Sequence, residues 1–175
     1  MRIVIAAEGT RGDVHPMLAL TRTLQGAGHT VVFCAPPDFG AEVLAVGARF
    51  VSLGSPVRDF LEQGAAAVHG GALAMVGEMV RWGRVSLENQ FRVLPEAAEG
   101  CDYVLGAGTI LAGASAAELH GVPYRAVVYT PAVLPSAEHT PCLLPVQLRS
   151  RWLNRLIWSG SSIGLGVSLR LDLNR

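Results

Sequence analysis

The chain has 175 residues, half of them hydrophobic and 16% charged, with 14 Lys and Arg set against 14 Asp and Glu. That length fits one domain with a substantial core, and the composition excludes an intrinsically disordered segment. The even charge excludes the electrostatic footprint of a nucleic-acid or anionic-membrane binder, so partners are expected to be held by shape and apolar surface.

In chain order, Ile3–Ala7 is a short apolar run that predicts a buried strand, and Glu8 ends it too early for a signal-peptide core. Glu8–Val14 reads as a polar, glycine-bearing loop. Met17, Leu18, Leu20 and Leu24 then fall near helical spacing over His15–Ala27, with Gly26 and Gly28 as the stop. His29–Ala35 predicts a second strand ended by Pro36 and Pro37, Asp38–Val46 a helix stopped by Gly47, and Arg49–Leu53 a third strand. Ser55–Gly71 reads as a loop with a short helix around Arg58–Gln63. Ala72–Ala98 is helical in character, with breaks expected near Gly83 and at Pro95.

Alternation resumes with a strand at Asp102–Ala107, a helix at Ile110–His120 and a strand at Tyr124–Tyr129. Pro131, Pro135, Pro141 and Pro145 mark a long extended loop, and loops of that length are usually functional or mobile. The tail from Arg149 to Leu173 is amphipathic to apolar and stops at Asn174–Arg175 with no cap signal. Strands that read as continuous apolar runs between helices imply a parallel sheet covered on both faces. The expected fold is a Rossmann-like α/β/α sandwich of at least five parallel strands.

The three cysteines, Cys34, Cys101 and Cys142, form no CxxC pair, which suits a reducing compartment and neither a disulfide framework nor a zinc site. No run of apolar residues approaches the length of a membrane span, and a soluble cytoplasmic domain is the expectation. No His, Cys and acid group has metal-ligand spacing, so no metal is expected, and no Gly-x-Ser-x-Gly nucleophile elbow occurs.

Ligands of a doubly wound sheet bind outside the carboxyl ends of its strands. The loop after the first strand, Glu8-Gly9-Thr10-Arg11-Gly12-Asp13-Val14-His15-Pro16, is chemically the richest segment. Its glycines at 9 and 12 do not make the GxGxxG of a dinucleotide site, the second strand ends in Ala35-Pro36-Pro37 rather than an acid, and there is no P-loop lysine.

The opening MRIVIAAEGTRGDVHPMLALTRTLQGAGHTVVFCAPPDF resembles the first β-α-β unit of family 1 and family 28 glycosyltransferases, above all the bacterial antibiotic-aglycone and sterol glucosyltransferases. HGVPYRAVVYTPAVLPSAEHTP and SRWLNRLIW agree with it, and Ser55–Ala98 resembles the family least. The resemblance implies the N-terminal, acceptor-binding half of a two-domain GT-B enzyme, cut off before the half that holds the nucleotide sugar. It implies a UDP- or TDP-sugar as donor in the full-length parent, no metal, a small apolar acceptor, and a C-terminal donor-binding domain as partner. The fragment alone is then expected to be inactive. Its uncovered apolar face, including Trp152 or Trp158, is expected to favour self-association.

Plant members carry Gly-His-x-x-Pro in this loop, with the His as catalytic base. Here the match is Gly12-Asp13-Val14-His15-Pro16, which puts Asp13 at the base position, as in the glycopeptide-antibiotic members. Asp13 is also a natural N-cap, with Pro16 in the first turn. His15, whose ordinary pKa lies near ~6.5, is the rival base. Plant members pair their His with an Asp near the end of the fourth strand; Val104–Thr109 has no acid, consistent with an Asp base that needs no tautomer fixed.

By the same resemblance Gly9, Thr10, Arg11 and Gly12 approach the substrates, Thr109 stands at the end of the fourth strand, Met75 and Met79 line the acceptor pocket, and His139 lies over it. Two other classes stay open: a non-catalytic partner of a split glycosyltransferase, and a Rossmann-type oxidoreductase or hydrolase.

Overall fold

The computed structural model describes residues 1–59, 62, 72–141 and 147–160. Its strands are β1 (Arg2–Glu8), β2 (Thr30–Ala35), β3 (Arg49–Ser52), β4 (Tyr103–Gly108) and β5 (Tyr124–Val127), all parallel in the order β3-β2-β1-β4-β5. The helices are α1 (Arg11–Gly26), α2 (Gly40–Ala45, after a 3-10 turn at Pro37–Phe39), α3 (Ala72–Ala97) and α4 (Gly113–Leu119). The expected Rossmann-like α/β fold is therefore present. Because the chain builds outward from β1 to β3 and then returns to β4 on the other side, β1 and β4 form the topological switch point.

The period of two along the strands sorts the core into two layers. Ile3, Ile5, Ala7, Val31 and Phe33 meet Val14, Met17 and Leu18 of α1 and Val43 of α2. Val4, Ala6, Val32, Cys34 and Val104 meet Leu94 and Ala97 of α3 and Ala116 and Ala117 of α4. Each fully buried Val or Ile contributes about 1.5–3 kcal/mol relative to exposure, so both layers hold the sheet firmly.

Four expectations need correction. Helix α1 begins at Arg11 rather than His15, and Pro16 thus stands in its second turn. Helix α3 runs unbroken through Gly83 and Pro95. An interior Gly costs only about 1 kcal/mol relative to Ala, which the buried Leu94 and Ala97 on the same helix outweigh. Pro95 sits in the last turn, where the helix is already closing by an Ala98 N–H to Leu94 O bond of 2.9 Å. The Pro95 carbonyl accepts from His120 Nε2 at 2.7 Å. Helix α4 starts at Gly113 instead of Ile110, and the N–H groups of Leu111 and Ala112 ahead of it donate to the Gln90 side chain. Strand β5 stops at Val127, two residues short of Tyr129.

Residues Met1–Val127 form one compact unit, which holds the whole sheet, and Val128–Arg175 form another. In the second, a 3-10 turn at Pro131–Val133 and a helix over 151–160 are described. There Asn154 Nδ2 donates to Ala137 O at 2.8 Å and Leu148 O at 3.1 Å, tying the helix to the proline-rich loop. The short helix expected around Arg58–Gln63 is seen at residues 57–59 and 62; Phe60, Leu61 and Gln63 lie outside the described residues, as do Cys142 and the tail beyond residue 160.

Burial pushes the Cys34 thiol from 9.0 up to about 12, with Arg49 acting weakly in the opposite direction. A raised folded-state pKa contributes stability that is complete below the unfolded thiol's pKa and is lost as pH climbs from about 9 toward 12. Peptide mapping after treatment with a thiol-specific disulfide reagent at pH 8 should find Cys34 unmodified in the folded protein and modified in denaturant. Prompt labelling of native Cys34 would contradict the buried placement.

Candidate functional site

The carboxyl ends of β1 and β4 meet in register at Glu8 and Gly108. Gly108 has φ +67°, and a Cβ there would stand 2.6 Å from the Glu8 carbonyl and 3.3 Å from Asp13 Oδ1. Only glycine lets the β4 corner come this close to both the end of β1 and the start of α1. Thr109 follows, its hydroxyl donating to Glu8 O at 3.3 Å. Gly9 completes the approach on the other side, since at φ +137° a Cβ would run into Asp13 Oδ2.

Asp13 is half-buried at this corner. It is not the N-cap expected from the sequence. Thr10 holds that position, and Asp13, at the third position of the helix, accepts the Thr10 N–H through Oδ2 at 2.8 Å in a capping box. The Thr10 hydroxyl lies 3.4 Å from the same oxygen. A carboxylate here also meets the positive end of α1. Asp13 therefore has one oxygen on the helix start and the other on the Gly108 side.

His15 engages different neighbours. Its Nε2 lies 2.9 Å from Glu42 Oε2 of α2, its ring stands edge-on to Phe39 with centroids 6.2 Å apart, and its side chain is half exposed. With Leu18, Arg22 and Ala45 it lines a groove of about 460 Å³ between α1 and α2. Arg11 is exposed and, with Thr10, Asp38, Phe39, Val57 and Arg58, lines a second cavity of about 490 Å³ over the ends of β1 to β3. Gly12 is exposed on the first turn, with the Thr10 hydroxyl 3.7 Å from where its Cβ would be.

The structure thus brings Gly9, Thr10, Asp13 and Thr109 together around the β1–β4 corner and turns His15 toward α2. Met75 and Met79 belong to α3, and their side chains lie outside the described residues. His139 is in the second unit. Its ring packs edge-on against Trp158 at 5.9 Å, Nδ1 donates to Thr140 O at 3.0 Å, and its carbonyl accepts from Trp158 Nε1 at 2.9 Å.

Sequence reasoning missed the group beneath the corner. Glu8 is 2% exposed, and its Oε2 accepts from Ser86 Oγ at 2.6 Å and from Gln90 Nε2 at 2.7 Å. The available signal was an acid closing an otherwise apolar buried strand, because a buried acid requires partners. Ser86 and Gln90, four apart and so on one face of α3, supply them. Among the described residues no His, Cys, Asp and Glu group can hold a metal, and no helix is long and apolar enough to cross a membrane.

Residues 3–136 match the glycosyltransferase family 28 N-terminal domain, and the chain belongs to that family. Among curated proteins it is 36% identical over 144 residues to the glycosyltransferase GtfC of Amycolatopsis orientalis, covering 81% of this chain and 34% of the relative. It is 32% identical over 145 residues to the vancomycin aglycone glucosyltransferase of the same organism, again covering 81% and 34%. The chain spans about a third of the length of these relatives. Among solved structures, the Streptomyces sp. SF2575 glycosyltransferase SsfS6 superposes with a TM-score of 0.52 at 25% identity, over 72% of this chain and 38% of that one.

The tight corner generates a stability test. Gly108→Ala should destabilise the fold by roughly 1–3 kcal/mol, the cost of a left-handed non-glycine residue with added crowding. Gly12→Ala, with open contact distances and no positive φ, should change stability by no more than about 1 kcal/mol. Urea unfolding of both variants decides; equal midpoints would mean the corner is looser than described.

Proposed function

We propose that this chain is the acceptor-binding, base-supplying half of an inverting glycosyltransferase, with Asp13 as the base. The observation that supports it most is the placement of the Asp13 carboxylate at the switch point, between the Gly108 corner and the start of α1, in a chain of this family. In this reading an acceptor hydroxyl stands at the corner and gives its proton to Asp13. Its oxygen attacks the anomeric carbon of a nucleotide sugar, and the nucleoside diphosphate leaves from the opposite face, which inverts the centre.

The donor is held chiefly by a second, C-terminal domain. His15 is disfavoured because Glu42 and Phe39 hold its ring toward α2.

The acceptor is an apolar aglycone. Support comes from the sequence of α3, which carries Met75, Met79, Trp82, Leu87 and Phe91, and from the relative named for the vancomycin aglycone. No metal enters this reading, and the setting is the cytoplasm. Trp152, 66% exposed, and Leu156, 59% exposed, lie one turn apart on the 151–160 helix and give a route to self-association; Trp158 is instead bonded to His139 O.

In the full-length protein, Asp13→Asn should lower turnover by roughly 10²–10⁴-fold, the usual worth of a positioned general base. Asn Oδ1 still accepts the Thr10 N–H, so thermal stability and acceptor binding should change little. His15→Asn should cost much less. If His15→Asn abolishes turnover and Asp13→Asn spares it, the roles are reversed; if both variants stay active, the loop does not carry the base.

For the donor, calorimetric titration of this chain alone with UDP- or TDP-sugars should show binding no tighter than roughly millimolar, about −4 kcal/mol. Saturable micromolar binding would overturn the acceptor-side assignment.

A further inference from the structure

Gln90 has no solvent exposure, and its one amide bonds β1, the segment between β4 and α4, and Ser86 on its own helix. Its Nε2 lies 2.7 Å from Glu8 Oε2, 2.9 Å from Thr109 O and 3.0 Å from Ser86 Oγ. Its Oε1 accepts from Leu111 N at 2.8 Å and Ala112 N at 3.1 Å. Leu111 and Ala112 stand just ahead of α4, with Ala112 as its N-cap residue, so their N–H groups need acceptors from outside that helix and Gln90 supplies both. Residues 109, 111 and 112 are thus fixed by one side chain, and Thr109 is tied again through its hydroxyl to Glu8 O. The next residue back is Gly108, the position that Asp13 Oδ1 approaches.

We propose that Gln90 is the positioning residue of this site: through Thr109 and the buried Glu8 carboxyl it holds the β4 corner where the base and the acceptor hydroxyl must meet. Being fully buried, Gln90 itself touches no substrate. The proposal rests on the reading of Asp13 as base. The requirement for an amide is chemical. A carboxylate at position 90 would still accept from Leu111 and Ala112, but it has no N–H for Thr109 O and would set oxygen against oxygen at Glu8. Methionine keeps the length and supplies neither function. Misplacement of about 1 Å in a reacting pair costs around 10²-fold in rate, so a loosened corner should be read in kcat rather than in binding.

The test uses initial rates of the full-length enzyme, per folded molecule, with the nucleotide sugar saturating and the acceptor varied. Gln90→Glu and Gln90→Met should lower kcat roughly 10–100-fold with acceptor KM within about threefold of wild type. The exchanged pair, Glu8→Gln with Gln90→Glu, restores one amide and one carboxyl between β1 and α3 but supplies no N–H to Thr109 O, so its kcat should stay well below wild type. Leu94→Ala, equally buried one turn along α3 but outside the hydrogen bonds, is the control: it should lower Tm and leave kcat unchanged.

Wild-type kcat in Gln90→Glu, an exchanged pair as fast as wild type, or an equal kcat loss in Leu94→Ala would each overturn the proposal. Should both Gln90 variants fail to fold, Ser86→Ala decides, since it removes only the hydroxyl that links Glu8 and Gln90. A several-fold fall in kcat at constant acceptor KM supports the role, and an unchanged kcat overturns it. Asp13→Asn run alongside separates the two ideas. If it is slow while Gln90→Glu is fast, only the positioning role falls; if it is as fast as wild type, the base assignment falls.

Discussion

Strand β1 is bonded to β2 along one edge and to β4 along the other, and it is covered by helices on both faces. From Ile3 to Ala7 every side chain is in a packed layer, so no polar group is tolerated until the strand runs out. Everything chemical at this end of the molecule follows from that constraint. Polar residues are confined to Glu8 and beyond, where the strand emerges at the switch point. The alternation of faces then sends the Glu8 side chain toward α3, while Asp13 arrives from α1 on the other side. The Gly108 corner lies between them.

Both carboxyl groups also serve the fold. Asp13 closes the start of α1, and Glu8 fastens α3 to the sheet. Such double use does not prevent a chemical role for Asp13, because a carboxylate has two oxygens with separate lone pairs. Oδ2 faces Gly9 and the Thr10 N–H, while Oδ1 faces the β4 corner. The capping bond orients the group and limits its rotamers, which is what a base presented to a bound hydroxyl requires.

The strands were legible in the sequence because a parallel sheet buried on both faces leaves uninterrupted apolar runs such as IVIAA and VVFCA. The site was legible only in part. The loop from Gly9 to His15 stood out by composition, but the rank of Asp13 over His15 came from the resemblance, and its geometric support needs α2 in place. Helix ends were read poorly where their partners are distant. The residues just ahead of α4 are bonded by Gln90, on another helix, and α3 continues through Pro95 because the residue falls in a turn that is already ending. The Glu8–Ser86–Gln90 group was invisible to any local window, since α1, β2, α2 and β3 lie between Glu8 and its two partners on α3.

The same group ties the carboxyl edge of β1 to elements far away in the sequence. The crossover from β3 to α3 is the long connection between the two halves of the sheet. Just after β3, Gly54 has φ +76°, and a Cβ there would collide with Glu8 Oε1, while Ser86 and Gln90 of α3 bond Glu8 Oε2. One carboxyl group at the edge of β1 therefore meets both the chain leaving β3 and helix α3, so position 54 has to be glycine for Glu8 to keep its bonds to Ser86 and Gln90.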